Sequence, residues 1–149
     1  MDEEVEKELS NLVKILIETV PSLNSVRLFG SYLNGKWNPK TSDIDILVCI
    51  NDEHYSVYKD RTKDWDDITG YFSIIGSEQR RNLRENIENK LNGKHKDRFS
   101  LAILSKKDVR DLMFCNEGRG NLGLYQRTLI FYLFVPLIDR EKHTILVSY

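Results

Sequence analysis

Three observations predict the fold class of this chain: a small mixed β-sheet with helices packed on it, an α+β domain of α/β type. Apolar residues recur at helical spacing near the N-terminus, where Val5, Leu9, Leu12, Val13, Leu16, Ile17 and Val20 form one stripe. A run too short for a helix, Ile46-Leu47-Val48-Cys49-Ile50, reads as a buried strand. Further helical and strand-like segments then alternate without any internal repeat, the pattern of helices layered on a sheet. At 149 residues there is room for one domain with a proper core, residues 1–149.

Taken in order, residues 3–19 form the first amphipathic helix. Asp2, Glu3 and Glu4 at its start suit the positive end of the helix dipole, and Pro21 marks its exit. Val26 to Phe29 is a short strand ending at Gly30. Tyr32 to Lys40 is a turn-rich link containing Gly35 and Pro39, and Asp43 to Ile50 is the clearest strand. Residues 51–76 hold scattered aromatics and one possible strand, Tyr71 to Ile75. Ser77 caps a helix from Glu78 whose stripe is Leu83, Ile87 and Leu91, with Gly93 as its stop. Arg98 to Leu104 is another strand, and Ser105 caps a short helix to about Met113. Glu117 to Gly123 is a loop. Thr128 to Ile138 and Thr144 to Ser148 are the arms of a closing hairpin.

Composition narrows the class without naming a function. Hydrophobic residues at 40%, charged residues at 30% and a net charge of −1 exert no global pull toward nucleic acid or membrane. Arg80 to Arg98 is locally basic, with seven Lys/Arg against three Asp/Glu. That stretch reads first as a solvated helix face, and only secondarily as a nucleic-acid surface. Cys49 and Cys115 form no disulfide or zinc pattern, and Cys49 reads as a small core residue. His54, His95 and His143 lack metal-ligand spacing and are read as surface residues. The acidic start and the absence of a long apolar run predict a cytoplasmic protein with no membrane span.

One stretch carries chemistry. Gly30-Ser31 ends a strand, eleven residues of link follow, and Asp43-Ile44-Asp45 opens the next strand. Side chains alternate along a strand, so Asp43 and Asp45 share one face while Ile44 and Ile46 enter the core. Two carboxylates held that close repel unless a proton or a divalent cation lies between them. Glycine and serine at a turn bring backbone N–H groups close to a phosphate. Hard-oxygen ligands beside a phosphate cradle point to Mg²⁺ or Mn²⁺ and a nucleoside triphosphate (NTP). The plain alternative is a turn at Gly30 and an edge strand with Asp45 in solvent; the apolar run around Asp45 argues against it.

Val26-Arg27-Leu28-Phe29-Gly30-Ser31 followed by Ser42-Asp43-Ile44-Asp45-Ile46-Leu47-Val48 resembles the signature of the polymerase-β-like nucleotidyltransferase superfamily, nearest its minimal nucleotidyltransferases. The resemblance is firm over residues 26–50. It implies that Gly30 and Ser31 bind the β- and γ-phosphates, partly through a short helix after Ser31. It also implies that Asp43 and Asp45 are the catalytic carboxylates, holding Mg²⁺ as pyrophosphate leaves the α-phosphorus. Lys36 and Lys40 read as solvated lysines of the link.

The family usually has a third carboxylate on a neighbouring strand. Within Arg98 to Leu104 that position falls on Ser100, which neither binds a second Mg²⁺ well nor acts as a base. Asp97 is turned to the opposite face, and Asp67 is a weaker candidate. The expected activity is transfer of a nucleoside monophosphate from an NTP to a hydroxyl of a protein, an RNA or a small molecule. The alternative is an impaired binding module that acts through protein partners. Resemblance to members that pair with a helical toxin implies an antitoxin-like setting, and a second subunit could supply the acceptor site.

Overall fold

The computed structural model describes residues 2–51, 78–106 and 143–149. They form helix α1 (Glu3–Thr19), strands β1 (Leu23–Phe29) and β2 (Ile44–Ile50), and helix α2 (Glu78–Lys90). A 3₁₀ turn (Lys96–Arg98) then leads into β3 (Phe99–Ser105), and β4 is His143–Ser148. The strands make one mixed sheet in the order β3-β2-β1-β4. β1 runs antiparallel to both β2 and β4, while β2 and β3 are parallel. This is the predicted α+β class.

α1 spans its expected residues. Asp2 caps it by accepting hydrogen bonds from Glu4 N and Val5 N at 2.9 and 3.2 Å, satisfying donors that the first turn leaves open. The buried stripe is Val5, Leu9, Leu12, Ile15 and Leu16, whereas Ile17 is exposed. Since 100° per residue carries position 17 past the core, Ile15 takes the place the sequence pattern gave to Ile17. α2 buries Leu83 and Ile87 against α1 and β3, and Leu91 just beyond its end completes the stripe.

Both helices cover one face of the sheet. Val26, Leu28, Ile44, Ile46, Val48, Ile50, Phe99, Leu101 and Ile103 belong to that core. On the other face Leu47 and Leu104 are also buried, so β2 is covered on both sides. That is why its sequence is nearly continuous apolar residue instead of an alternation. Asp45 is its one residue that is not fully buried. Cys49 is buried in the same strand, as expected.

Several boundaries differ from the sequence reading. β1 starts at Leu23, three residues early, because Asn24 and Ser25 disguise a strand whose irregular start pairs Leu23 with Ile50. Ser22 before it takes a left-handed φ of +53° and accepts from Asn51 N. β3 runs one residue later than expected and follows a 3₁₀ turn. β4 is present and, among the described residues, pairs with β1. The other arm (128–138), the strand at 71–75, the loop at 117–123, the helix expected beyond Ser105, and Asp67, His54 and Cys115 fall outside the described residues. Among those described, no helix is long and apolar enough to cross a membrane.

Candidate functional site

β1 ends on Phe29, whose cross-strand partner is Asp45, so the antiparallel ladder sets the Gly30 bend against the start of β2. Gly30 has φ +80°, a backbone region costly to any residue with a Cβ. A Cβ built on it would collide with the Asp45 carboxylate, 3.0 Å from its Cγ. The glycine is therefore required twice, by its dihedral and by the acid beside it.

Asp43 lies just outside β2 and is exposed, while Asp45 is half-buried inside the strand. Ile44 between them is fully buried on the helix-covered face, so Asp45 takes the opposite face. Asp43 makes no side-chain hydrogen bond or ion pair among the described residues, whereas Asp45 does have an interaction within the chain. Ser31 is half-buried at the start of the link. Ser100 is paired with Asp45 in the parallel β2–β3 ladder and is exposed. The backbone of His143 is paired with Phe29 on the other side. Ser100, Asp45, Phe29 and His143 thus form one row across all four strands.

The link after Ser31 is a series of turns, not a helix. Asn34 N donates to Gly30 O at 3.3 Å and Lys36 N to Ser31 O at 3.0 Å. The short helix implied by the family resemblance is absent here, and with it any phosphate contact credited to a helix start. Lys36 and Lys40 are exposed, as read. Asp97 lies in the 3₁₀ turn, where it lines a surface hollow of about 440 Å³ with Glu88, Asn89, Leu91, Lys96 and Phe99. Phe99 belongs to the helix-covered core, so this hollow is separate from the Asp45 side.

His95 was expected at the surface but is buried, with Nδ1 paired to Glu8 Oε2 and its backbone N donating to Glu8 Oε1 at 2.8 Å. Gly93 at φ +116° makes room for that carboxylate, since a Cβ there would lie 2.9 Å from Glu8 Cδ. Trp37 bridges this pair to the link. Its ring is tilted against His95 at 5.7 Å and meets Tyr32 edge-on at 5.2 Å. Tyr32 Oη donates to Glu6 Oε1 at 3.0 Å; burial first, and then Glu6, pushes its phenol up to about 12.

Of the locally basic segment, Lys90 donates to Thr19 Oγ1, Lys94 faces Glu4 at 3.8 Å, and Arg98 donates to the Lys40 carbonyl. These three cations are engaged within the chain, and two of them, Lys94 and Arg98, lie beyond the end of α2.

The donor set suits one Mg²⁺. This ion takes one or two carboxylates and fills its remaining positions with water and substrate phosphate. Asp43 and Asp45 are donors of that type and number, and no cluster of three His, Cys, Asp or Glu that could hold a metal occurs among the described residues.

No curated protein matches the chain. A crystal structure of a proposed nucleotidyltransferase from Sulfolobus solfataricus is similar at 18% identity, covering 72% of this chain and 78% of that one, with a TM-score of 0.38. The family model described as a nucleotidyltransferase domain matches residues 9–108, which takes in α1 from Leu9 onward, the Gly30 bend, both aspartates and β3. The chain therefore belongs to the nucleotidyltransferase-domain family.

Proposed function

We propose that this protein transfers a nucleoside monophosphate from an NTP to a hydroxyl acceptor, with Mg²⁺ held by Asp43 and Asp45. The observation that carries this reading is that the Asp45 carboxylate against the glycine of the Gly30-Ser31 bend is only half-buried and has a second, exposed acid, Asp43, two residues before it. A triphosphate at that bend lies within reach of a cation at Asp45. Gly30 lets the backbone come close, and Ser31 offers a hydroxyl and an N–H. The cation, when bound, neutralises charge on the phosphates as pyrophosphate departs. Everything else is positioning: the protein supplies no nucleophile, and the rate gain comes from holding the reactants and their charges in place.

Ser100 stands where a third carboxylate would sit beside Asp45, so deprotonation of the acceptor falls to another group or to solvent. The acceptor is a protein, RNA or small-molecule hydroxyl, and the setting is cytoplasmic. The test is incubation with labelled ATP, GTP, CTP or UTP and Mg²⁺, with and without cell lysate. Transferred label that disappears in Asp43→Asn and Asp45→Asn is expected. Metal-dependent nucleotide binding without transfer under all these conditions would make the protein a binding module instead.

A further inference from the structure

We propose that Trp37 and Ser42 are positioning residues that fix where Asp43 stands relative to Asp45. The proposal rests on the reading of these two aspartates as ligands of one cation. Asp45 belongs to a strand buried on both faces. Asp43 has no such frame: it is exposed, lies before the first strand residue and has no side-chain bond of its own among the described residues. Its place is set by its neighbours, Ile44 in the core and Ser42 in the link.

Ser42 is tied at every polar atom. Its N donates to Asn38 O at 2.8 Å, its Oγ accepts from Asn38 N at 3.2 Å, and its carbonyl accepts from Trp37 Nε1 at 3.1 Å. Asn38 closes the same turn by accepting from Lys40 N through Oδ1 at 2.9 Å. The indole that holds the Ser42 carbonyl is itself wedged between Tyr32 and His95, which Glu6 and Glu8 anchor to α1. A line of packed groups thus runs from the first helix to the residue before Asp43. Two ligands separated by one residue chelate a small cation only when both carboxylates converge, so freeing Ser42 releases the first of them.

The experiment is a Mn²⁺ titration followed by electron paramagnetic resonance on the full chain without nucleotide. Trp37→Phe keeps the packed ring and removes its N–H; Ser42→Ala removes one acceptor. Each is expected to weaken Mn²⁺ binding about fivefold, the factor equivalent to one ordinary hydrogen bond. In a double-mutant cycle the effect of Trp37→Phe vanishes once Asp43 is asparagine, an outcome that general loosening does not produce. An unchanged dissociation constant in the single variants, or full additivity with Asp43→Asn, overturns the proposal. If Trp37→Phe does not fold, Ser42→Ala and its own cycle decide. Wild-type protein that binds no Mn²⁺, or binds it equally well as Asp45→Asn, overturns the cation reading itself and the proposal with it.

Discussion

Gly30, at the end of β1, and Gly93, after α2, both hold a left-handed φ, and in both a carboxylate fills the space of the missing Cβ. What differs is what surrounds the acid. At Gly93, Glu8 gives one oxygen to the His95 backbone and the other to the His95 ring, and the histidine is buried. At Gly30, Asp45 is only half-buried, and its neighbours Asp43 and Ser100 are both exposed. One device has become a fastener between α1 and the turn before β3. The other keeps a carboxylate at the mouth of a bend, beside a second acid that has no partner among the described residues. A carboxylate against a left-handed glycine is thus no mark of chemistry; solvent access and a second acid distinguish the two.

The largest effect that separates these regions is expected from Asp45→Asn. It should lower nucleotide transfer by about a hundredfold or more, because one cation ligand and its charge are lost. Its thermal midpoint should stay within about 3 °C of wild type. Equal loss of activity in Glu8→Gln at unchanged stability would erase the distinction.

Alanine at the two glycines comes next. Each substitution forces a Cβ into a carboxylate and should cost about 1–3 kcal/mol, read by denaturant unfolding. Gly93→Ala should bind NTP normally while folded, whereas Gly30→Ala should lose affinity about tenfold beyond its cost in stability. Ser100→Asp acts more gently. It sets a like charge beside Asp45, so metal-free stability should fall by about 0.5–1 kcal/mol, with recovery in Mg²⁺. Transfer should rise severalfold as a second metal position forms; no gain in a folded variant would rule out that role for the position.

The smallest effect concerns Tyr32, on the fastener side. Its folded phenol is raised from 10.0 to about 12, so the folded state holds this proton more tightly than the unfolded chain. The resulting stability is complete below pH 10 and is lost as pH climbs toward 12. Thermal midpoints measured from pH 9 to 12 should fall less steeply in Tyr32→Phe. An identical slope would remove the burial argument for Tyr32.

Much of this was legible in the sequence because the signals were local. The period of α1, the apolar run of β2 and the stripe Leu83, Ile87, Leu91 depend on neighbouring residues, and each marks a real element. The family resemblance implied a third-acid position at Ser100 on a neighbouring strand, and the parallel ladder sets Ser100 beside Asp45. Long-range pairings were not legible. The partner of His95 lies 87 positions earlier, and nothing near the histidine announces it except a glycine two residues before. Trp37 gave no sign in isolation, since its role depends on a carbonyl five residues on and a ring from the other half of the chain. The start of β1 was hidden by Ser25, a polar residue buried within the sheet.

The most direct test of the central claim is the dissociation constant of an NTP measured by calorimetry with Mg²⁺ and again in EDTA, on wild type and on Asp45→Asn. A cation shared between the aspartates and a triphosphate at Gly30-Ser31 predicts that EDTA weakens wild-type binding at least about tenfold and changes the variant little. Wild-type binding that is indifferent to Mg²⁺, or absent with every NTP, would contradict it.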